Sequence, residues 1–123
     1  MDPTELDRRL EIRLRTRSGN GSWSSRPIWI VVVAGEPYIR SAFGTRSAWY
    51  RRVRAMGRAD IEVGDETLQV RLEPVDDETL NERISDAYCA KYSPSWPGPT
   101  ETLIGKEASA TTMRLTPGPT LGS

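Results

Sequence analysis

Among 123 residues there is no histidine and only one cysteine, Cys89. The missing imidazole removes serine–histidine triads, histidine-ligated metals and imidazole acid–base catalysis from the chemistry this chain can run. The lone thiol excludes an internal disulfide framework and a cysteine zinc cluster, and it fits a reducing, cytoplasmic setting. Long apolar stretches are missing too. The longest, Ile28–Ala34, has seven residues, against about 20 for a membrane-spanning helix, so no membrane partner is expected. The opening MDPTELDRRL is polar and lacks the apolar segment of a secretion signal. Neither the glycine-rich dinucleotide fingerprint nor the P-loop signature occurs, and there is no internal repeat.

What is present is an ordinary folding composition, 37% hydrophobic and 28% charged, enough for one domain with one core. Seventeen basic and seventeen acidic side chains cancel, but unevenly. Residues 1–61 hold twelve basic and six acidic groups, and residues 62–123 hold five and eleven, so the halves carry +6 and −6. Arginine outnumbers lysine fifteen to two, which supplies planar forks suited to phosphate or carboxylate.

Periodicity lays out the elements. Thr4 is placed to cap a short helix or arm over residues 1–8. Leu10, Ile12 and Leu14 alternate with charged residues and predict a half-buried strand over 9–17. Residues 18–25, rich in glycine and serine, predict a loop. The apolar run 28–33 predicts a central strand covered on both faces, with residues 38–42 returning beside it. Trp49, Val53 and Met56 predict one apolar face of a helix ending at Gly57. Residues 61–63 and 68–72 flank a turn and predict a hairpin. Asp76, Asp77 and Glu78 open a helix packed through Leu80, Ile84, Ala87 and Tyr88, which Ser93-Pro94 stops. One helical turn over 100–104 and a strand over 110–115 follow, and 117–123 is expected to be a flexible tail. Six strands joined mostly as hairpins predict a mainly β fold with peripheral helices, a small closed or partly closed barrel, in a single domain over residues 1–123.

One segment concentrates chemistry. Between residues 40 and 58 there are six arginines and no acid. Arg40, Ser41, Arg46 and Ser47 sit around a strand end, a glycine and a helix start, where free N–H groups attract anions. Two interpretations are open there. The segment is an anion site, or Thr45 and Ser47 cap the helix while Arg51, Arg52 and Arg54 form its solvated face. Trp49 and Trp29 are either core anchors or cofactor platforms. Tyr92 offers a phenol to a pocket or closes a helix end, and Trp96 is either a lid or loop packing. Cys89 has no activating base in the pattern.

The stretch PIWIVVVAGEPYIRSAFGTRSAWYRRV, with EPVDDETLNERISDAYCAKY and ASATTMRLTP, resembles a family of small bacterial proteins related to the FMN- and deazaflavin-binding split β-barrels, the pyridoxamine-phosphate-oxidase-like and deazaflavin-dependent nitroreductase-like superfamily. The resemblance runs from about Leu10 to Pro117. It implies a six-stranded split barrel, a homodimer, and FMN or a deazaflavin coenzyme near the subunit interface. It places Arg40, Ser41, Arg46 and Ser47 around the cofactor phosphate and the backbone of Ile30, Val31 and Val32 along the ring. Deazaflavin-dependent relatives carry Lys-x-x-Trp-x-x-Asn at this helix. Arg46-x-x-Trp49-x-x-Arg52 stands here, keeping the cation and replacing the asparagine.

Three functions follow as expectations. The first is a flavin- or deazaflavin-dependent oxidoreductase passing a hydride to a small organic acceptor, with Tyr92 donating a hydrogen bond to substrate. The second is a cofactor-free barrel that binds or transforms a small anionic metabolite. The third is a structural or protein-interaction homodimer. Nucleic acid is not an expected partner, because the arginine cluster is compact, the second half is acidic and no RNA-reading aromatic motif occurs.

Overall fold

The structure, a computed structural model, describes residues 2–17 and 20–118. Seven strands form one sheet: β1 Ile12–Arg17, β2 Trp23–Ile28, β3 Val31–Val33, β4 Glu36–Ile39, β5 Arg58–Val63, β6 Glu66–Pro74 and β7 Met113–Pro117. Their spatial order is β2-β1-β5-β6-β7-β4-β3, and every neighbouring pair is antiparallel. The two edge strands, β2 and β3, are consecutive in the chain and separated only by Trp29 and Ile30. A sheet whose first and last strands are tied by two residues has to curl until its edges meet. The result is a half-barrel, split where β2 gives way to β3.

Alternation builds the wall. In β1, Ile12, Leu14 and Thr16 point inward and are buried, while Arg13 and Arg17 are exposed. Ile61 lies opposite Leu68 and Ala59 opposite Val70 across the β5–β6 hairpin. Helix α2, Ala48–Met56, packs Trp49 and Val53 against this interior, and Gly57 closes it at φ 70°, the left-handed cap that glycine adopts without a Cβ penalty. Helix α1, Pro3–Arg8, contacts β3 and β4 and adds Leu6 to this first core, while helix α3, Glu78–Tyr92, packs on the other face of β3. There Val31, Val33, Tyr38, Ile84, Tyr88 and Tyr92 make a second core. Asp77 caps α3 by accepting from the Leu80 N–H at 3.0 Å. Helices α4, Pro97–Leu103, and α5, Lys106–Ser109, lead into β7.

Several expectations are corrected. There are seven strands rather than six, because Trp23–Ile28 is a strand despite its loop-like serines. It is held by full pairing with β1, from Arg17 opposite Trp23 to Ile12 opposite Ile28. The first strand starts at Ile12, not residue 9, and Leu10 is exposed. The apolar run 28–33 is not a central strand. It breaks at Trp29-Ile30, and its second half is an edge strand in contact with α1 and α3. Asp2, not Thr4, caps α1, accepting from the Thr4 N–H at 2.9 Å. Met56 is exposed and Tyr50 joins Trp49 and Val53 on the buried face. The turn expected over 100–104 is the end of a longer helix, and α5 had no counterpart. Thr111 and Thr112 precede the last strand, their hydroxyls donating to Ala108 and Ser109 carbonyls at 2.6 and 2.7 Å. Of the expected tail, Pro117 ends β7 and the Gly118 N–H donates to the Gln69 carbonyl at 2.9 Å. Residues 119–123 lie outside the described residues, as do 18 and 19 of the loop and Met1 of the arm.

The β3–β4 turn yields a prediction. Its central residues, Ala34 and Gly35, sit at φ 52° and 80°, the positive pair of a tight hairpin turn. An L-residue there is strained by roughly 1–2 kcal/mol. Ala34→Gly is therefore expected to stabilise the fold by about 0.5–1 kcal/mol in urea denaturation, the strain relief exceeding glycine's entropy cost. A loss of stability would show that the turn carries no such strain.

Among the described residues, no helix is long and apolar enough to cross a membrane, and no group of His, Cys, Asp and Glu is arranged to hold a metal ion.

Candidate functional site

A cleft of about 430 Å3 opens between the end of β2, the start of α2 and α4. Pro27, Ile28 and Trp29 form one wall. Ser47 and Trp49 form the second, and Pro99, Thr102 and Leu103 the third. Arg26 and the exposed Phe43 stand on its border, and Arg40 reaches it from beneath.

The wall at Trp29 is built by the split in the sheet. Between β2 and β3 the ladder lapses, so the backbone of Ile30 needs other partners. The Tyr92 hydroxyl provides them, accepting from the Ile30 N–H at 3.0 Å and lying 3.0 Å from the Ile30 carbonyl and 2.5 Å from that of Leu10. Lys91 Nζ donates to the same Ile30 carbonyl at 2.7 Å. The Tyr92 ring then backs the indole of Trp29, with centroids 4.1 Å apart and planes within 2°. Burial raises the Tyr92 phenol to about 12 and lowers Lys91.

Ser47 stands at the start of α2 in extended conformation, and its side chain makes no capping bond. The first turn of α2 holds no acidic residue. Its free N–H groups thus keep their partial positive charge on the cleft side.

Arg40 is the electrostatic feature. It is 2% exposed, and none of its five N–H groups is idle. Nε donates to Thr112 Oγ1 at 2.8 Å. Nη1 donates to Ser85 Oγ at 2.9 Å and the Leu103 carbonyl at 3.0 Å. Nη2 donates to the Asn81 carbonyl at 2.9 Å and to Asn81 Oδ1 at 3.3 Å. All these acceptors are neutral, and among the described residues no carboxylate pairs with the guanidinium. Its centre lies 5.4 Å from the ring centroid of Tyr88, and desolvation lowers its pKa. Burial pushes the Tyr88 phenol up in turn. The guanidinium ties α3, α4 and the approach to β7 together and leaves its charge uncompensated beside the cleft.

Of the residues singled out in the sequence, the cleft gathers Trp29, Arg40, Ser47 and Trp49. The others go elsewhere. Ser41 is fully buried, its hydroxyl donating to the Gly44 carbonyl at 2.8 Å and its N–H to Thr111 Oγ1 at 2.8 Å. Arg46 lies before α2 in a single 3-10 turn, Gly44–Arg46, and is exposed, pairing with Glu107 at 3.3 Å. Arg52 points to a groove on the other side of α2, 3.5 Å from Thr16 Oγ1. Val31 and Val32 pair with Tyr38 and Pro37, and the Ile30 backbone is consumed by Tyr92 and Lys91. Tyr92 is fully buried with backbone partners for its hydroxyl, so the substrate contact expected of it is replaced by a supporting one. Arg26, Phe43 and the α4 wall were not anticipated. Arg26-Pro27 ahead of the apolar run was the only local signal for them.

A family model described as "Uncharacterized protein conserved in bacteria (DUF2255)" matches residues 4–115. No curated protein matches the chain. Among solved structures, one from Listeria innocua, provisionally described as a pyridoxamine 5'-phosphate oxidase, superposes with a TM-score of 0.62 at 15% identity, over 94% of this chain and 90% of that one. An F420-H2 dependent reductase, FDR-A, gives 0.62 at 17% identity, over 88% and 95%. HutZ, a heme storage protein from Vibrio cholerae, gives 0.65 at 12% identity, over 97% and 87%. At these identities the likeness is one of fold, and that fold serves proteins with different ligands.

Proposed function

The chain belongs to the DUF2255 family of proteins conserved in bacteria, and from that premise we propose that its cleft binds a planar, anionic cofactor of the flavin or deazaflavin class and serves reduction of a small organic acceptor. The observation that carries this reading is the meeting of an aromatic wall with an uncompensated cation in one 430 Å3 cleft. Pockets of this size that are mostly apolar with a few placed polar groups are the usual form of small-molecule sites.

The residues fit such a group. Ile28, Trp29, Trp49 and Leu103 supply an apolar, partly aromatic enclosure for a ring system. The Ser47 hydroxyl and the α2 N-terminus supply donors for a phosphate, and Arg26 and Arg40 supply charge. When bound, the cofactor would supply the hydride chemistry that a chain without histidine cannot. Trp29 is held in place by Tyr92, and Arg40 fixes α4 against the sheet so that the third wall keeps its distance. A homodimer, as the family resemblance implies, would cover Phe43 at the cleft border, and sedimentation velocity would register it.

Binding of FMN and of the deazaflavin coenzyme, followed separately by absorbance and fluorescence, tests the proposal. Saturable micromolar binding of one is expected. Ser47→Asp is the informative variant, because aspartate is at least as good a helix cap as serine and suits a helix N-terminus. The fold should survive while an anion is repelled, weakening binding by about tenfold or more. Binding that ignores Ser47→Asp would move the phosphate elsewhere.

The second reading, a cofactor-free site for a small anionic metabolite, draws on the same cleft. It is favoured by the full engagement of Arg40 and the outward position of Arg46, which leave fewer free forks for a phosphate than the resemblance implies. A folded protein that ignores both cofactors yet binds a small carboxylate in a Ser47-dependent way would establish it.

A further inference from the structure

A groove of about 330 Å3 lies at the other end of α2 and shares no lining residue with the cleft. Its floor includes Thr16, Ala59 and Val70, all buried. Four arginines border it: Arg15 and Arg17 from β1, Arg52 from α2 and Arg58 from β5. Among the described residues, Arg15 alone of the four has an acidic partner, Glu62 at 3.6 Å. Arg17 donates to the Gly21 carbonyl at 3.3 Å, and Arg52 to Thr16 Oγ1 at 3.5 Å. Among the described residues, neither Arg17, Arg52 nor Arg58 forms an ion pair. One acid, the half-buried Asp60, borders the groove.

Three cations that form no ion pair, brought by three different elements to one concavity with a single acid on its border, leave a net positive groove that attracts an anion. The groove also orders its cations. The exposed ring of Trp23 lies beneath the guanidinia of Arg15 and Arg17, at 4.8 and 5.7 Å from its centroid. Met56, also exposed, offers an apolar contact on the opposite side. A single carboxylate needs one guanidinium fork. Three unpaired forks suit a group with more oxygens and more than one negative charge, which describes a phosphate ester.

We infer that this groove is a second ligand site, for a small phosphorylated molecule, separate from the cleft. Arg17, Arg52 and Arg58 would hold its phosphate oxygens. The site accounts for Arg52 standing where the related helix motif has asparagine, since residue 52 serves this groove and not the cleft.

Isothermal titration of the whole chain with inorganic pyrophosphate tests it, with the Arg52→Gln/Arg58→Gln double variant and Ser47→Asp alongside. Arg58 is exposed and Arg52 half-buried with one weak contact, so the double variant should fold, which circular dichroism checks. Saturable binding is expected in Ser47→Asp, where the cleft repels anions, and it should weaken about tenfold or more when the double variant is added to that background. Added salt should weaken it as well. Pyrophosphate binding that survives the double variant in the Ser47→Asp background overturns the site. Binding lost in Ser47→Asp but kept in the double variant assigns the anion to the cleft and overturns it too. No binding up to millimolar pyrophosphate, or tight binding of a single-stranded oligonucleotide in its place, also overturns the inference.

Discussion

Arg40→Leu is expected to cost about 3 kcal/mol of stability, with a drop in Tm of roughly 10–15 °C. The guanidinium makes five hydrogen bonds to four residues, Thr112, Ser85, Asn81 and Leu103, which lie 41 to 72 residues away in sequence. Leucine would leave the Leu103 and Asn81 carbonyls and the Thr112 and Ser85 hydroxyls short of a donor, each worth about 1–3 kcal/mol if it stays dry. Two effects reduce the sum. The hydroxyls can turn to other acceptors, and removing an unpaired buried cation relieves its own desolvation cost. The domain as a whole has about 5–15 kcal/mol to lose. Arg40→Lys keeps the charge but not the fork, so it should fall between the parent and leucine. Urea denaturation followed by circular dichroism measures both. A loss under 1 kcal/mol in the leucine variant would mean that these bonds do not hold the helices to the sheet.

Tyr92→Phe is expected to cost about 2 kcal/mol near neutral pH. The phenol is the partner of the backbone where the barrel splits. Without it the Ile30 N–H and the Leu10 carbonyl lose their partner, while the Ile30 carbonyl keeps Lys91. The same residue sets an alkaline signature. Burial raises its pKa from 10.0 to about 12, so the folded state holds the phenolic proton more tightly than the unfolded chain. That contribution is complete below pH 10 and is lost as pH rises from 10 towards 12, at about 1.4 kcal/mol per unit. Phenylalanine cannot titrate. The stability gap between parent and variant should therefore narrow above pH 10, and Tyr88 and Lys91, common to both chains, cancel in the difference. A gap constant through this range would show that the Tyr92 hydroxyl is not buried as described.

Both residues show where sequence reasoning stopped. An arginine near a glycine and a helix start, and a tyrosine at a helix end, look like ligand contacts because their own partners are distant. Thr112 and Leu103, which hold Arg40, are 72 and 63 residues away, and Ile30, which Tyr92 serves, is 62 away. No local pattern announces such pairings. Elements set by near neighbours were legible: the β5–β6 hairpin, α3 with its opening run of acids, and α2 with Gly57 at its end. Strand β2 was not, since Ser24 and Ser25 become strand only by pairing with β1. The apolar run 28–33 correctly reported burial on both faces, but burial does not say whether a strand or a helix provides the cover. Ser47 and Trp49, which line the cleft, were legible as candidates because a helix start is a local feature. The Arg46, Trp49, Arg52 spacing misled because Arg46 precedes the helix, so the three do not share one face.

The four tryptophans offer the most direct test of the cleft. Trp29 and Trp49 line it, Trp23 lines the arginine groove, and Trp96 leans on Trp29 with centroids 5.7 Å apart. Each indole N–H gives its own cross-peak in a proton–nitrogen spectrum, assignable by single Trp→Phe variants. On addition of FMN or the deazaflavin coenzyme, the Trp29 and Trp49 peaks should move saturably while Trp23 stays fixed. Movement of Trp23 with Trp29 and Trp49 unchanged, or no movement with either cofactor, would contradict the cleft as the cofactor site.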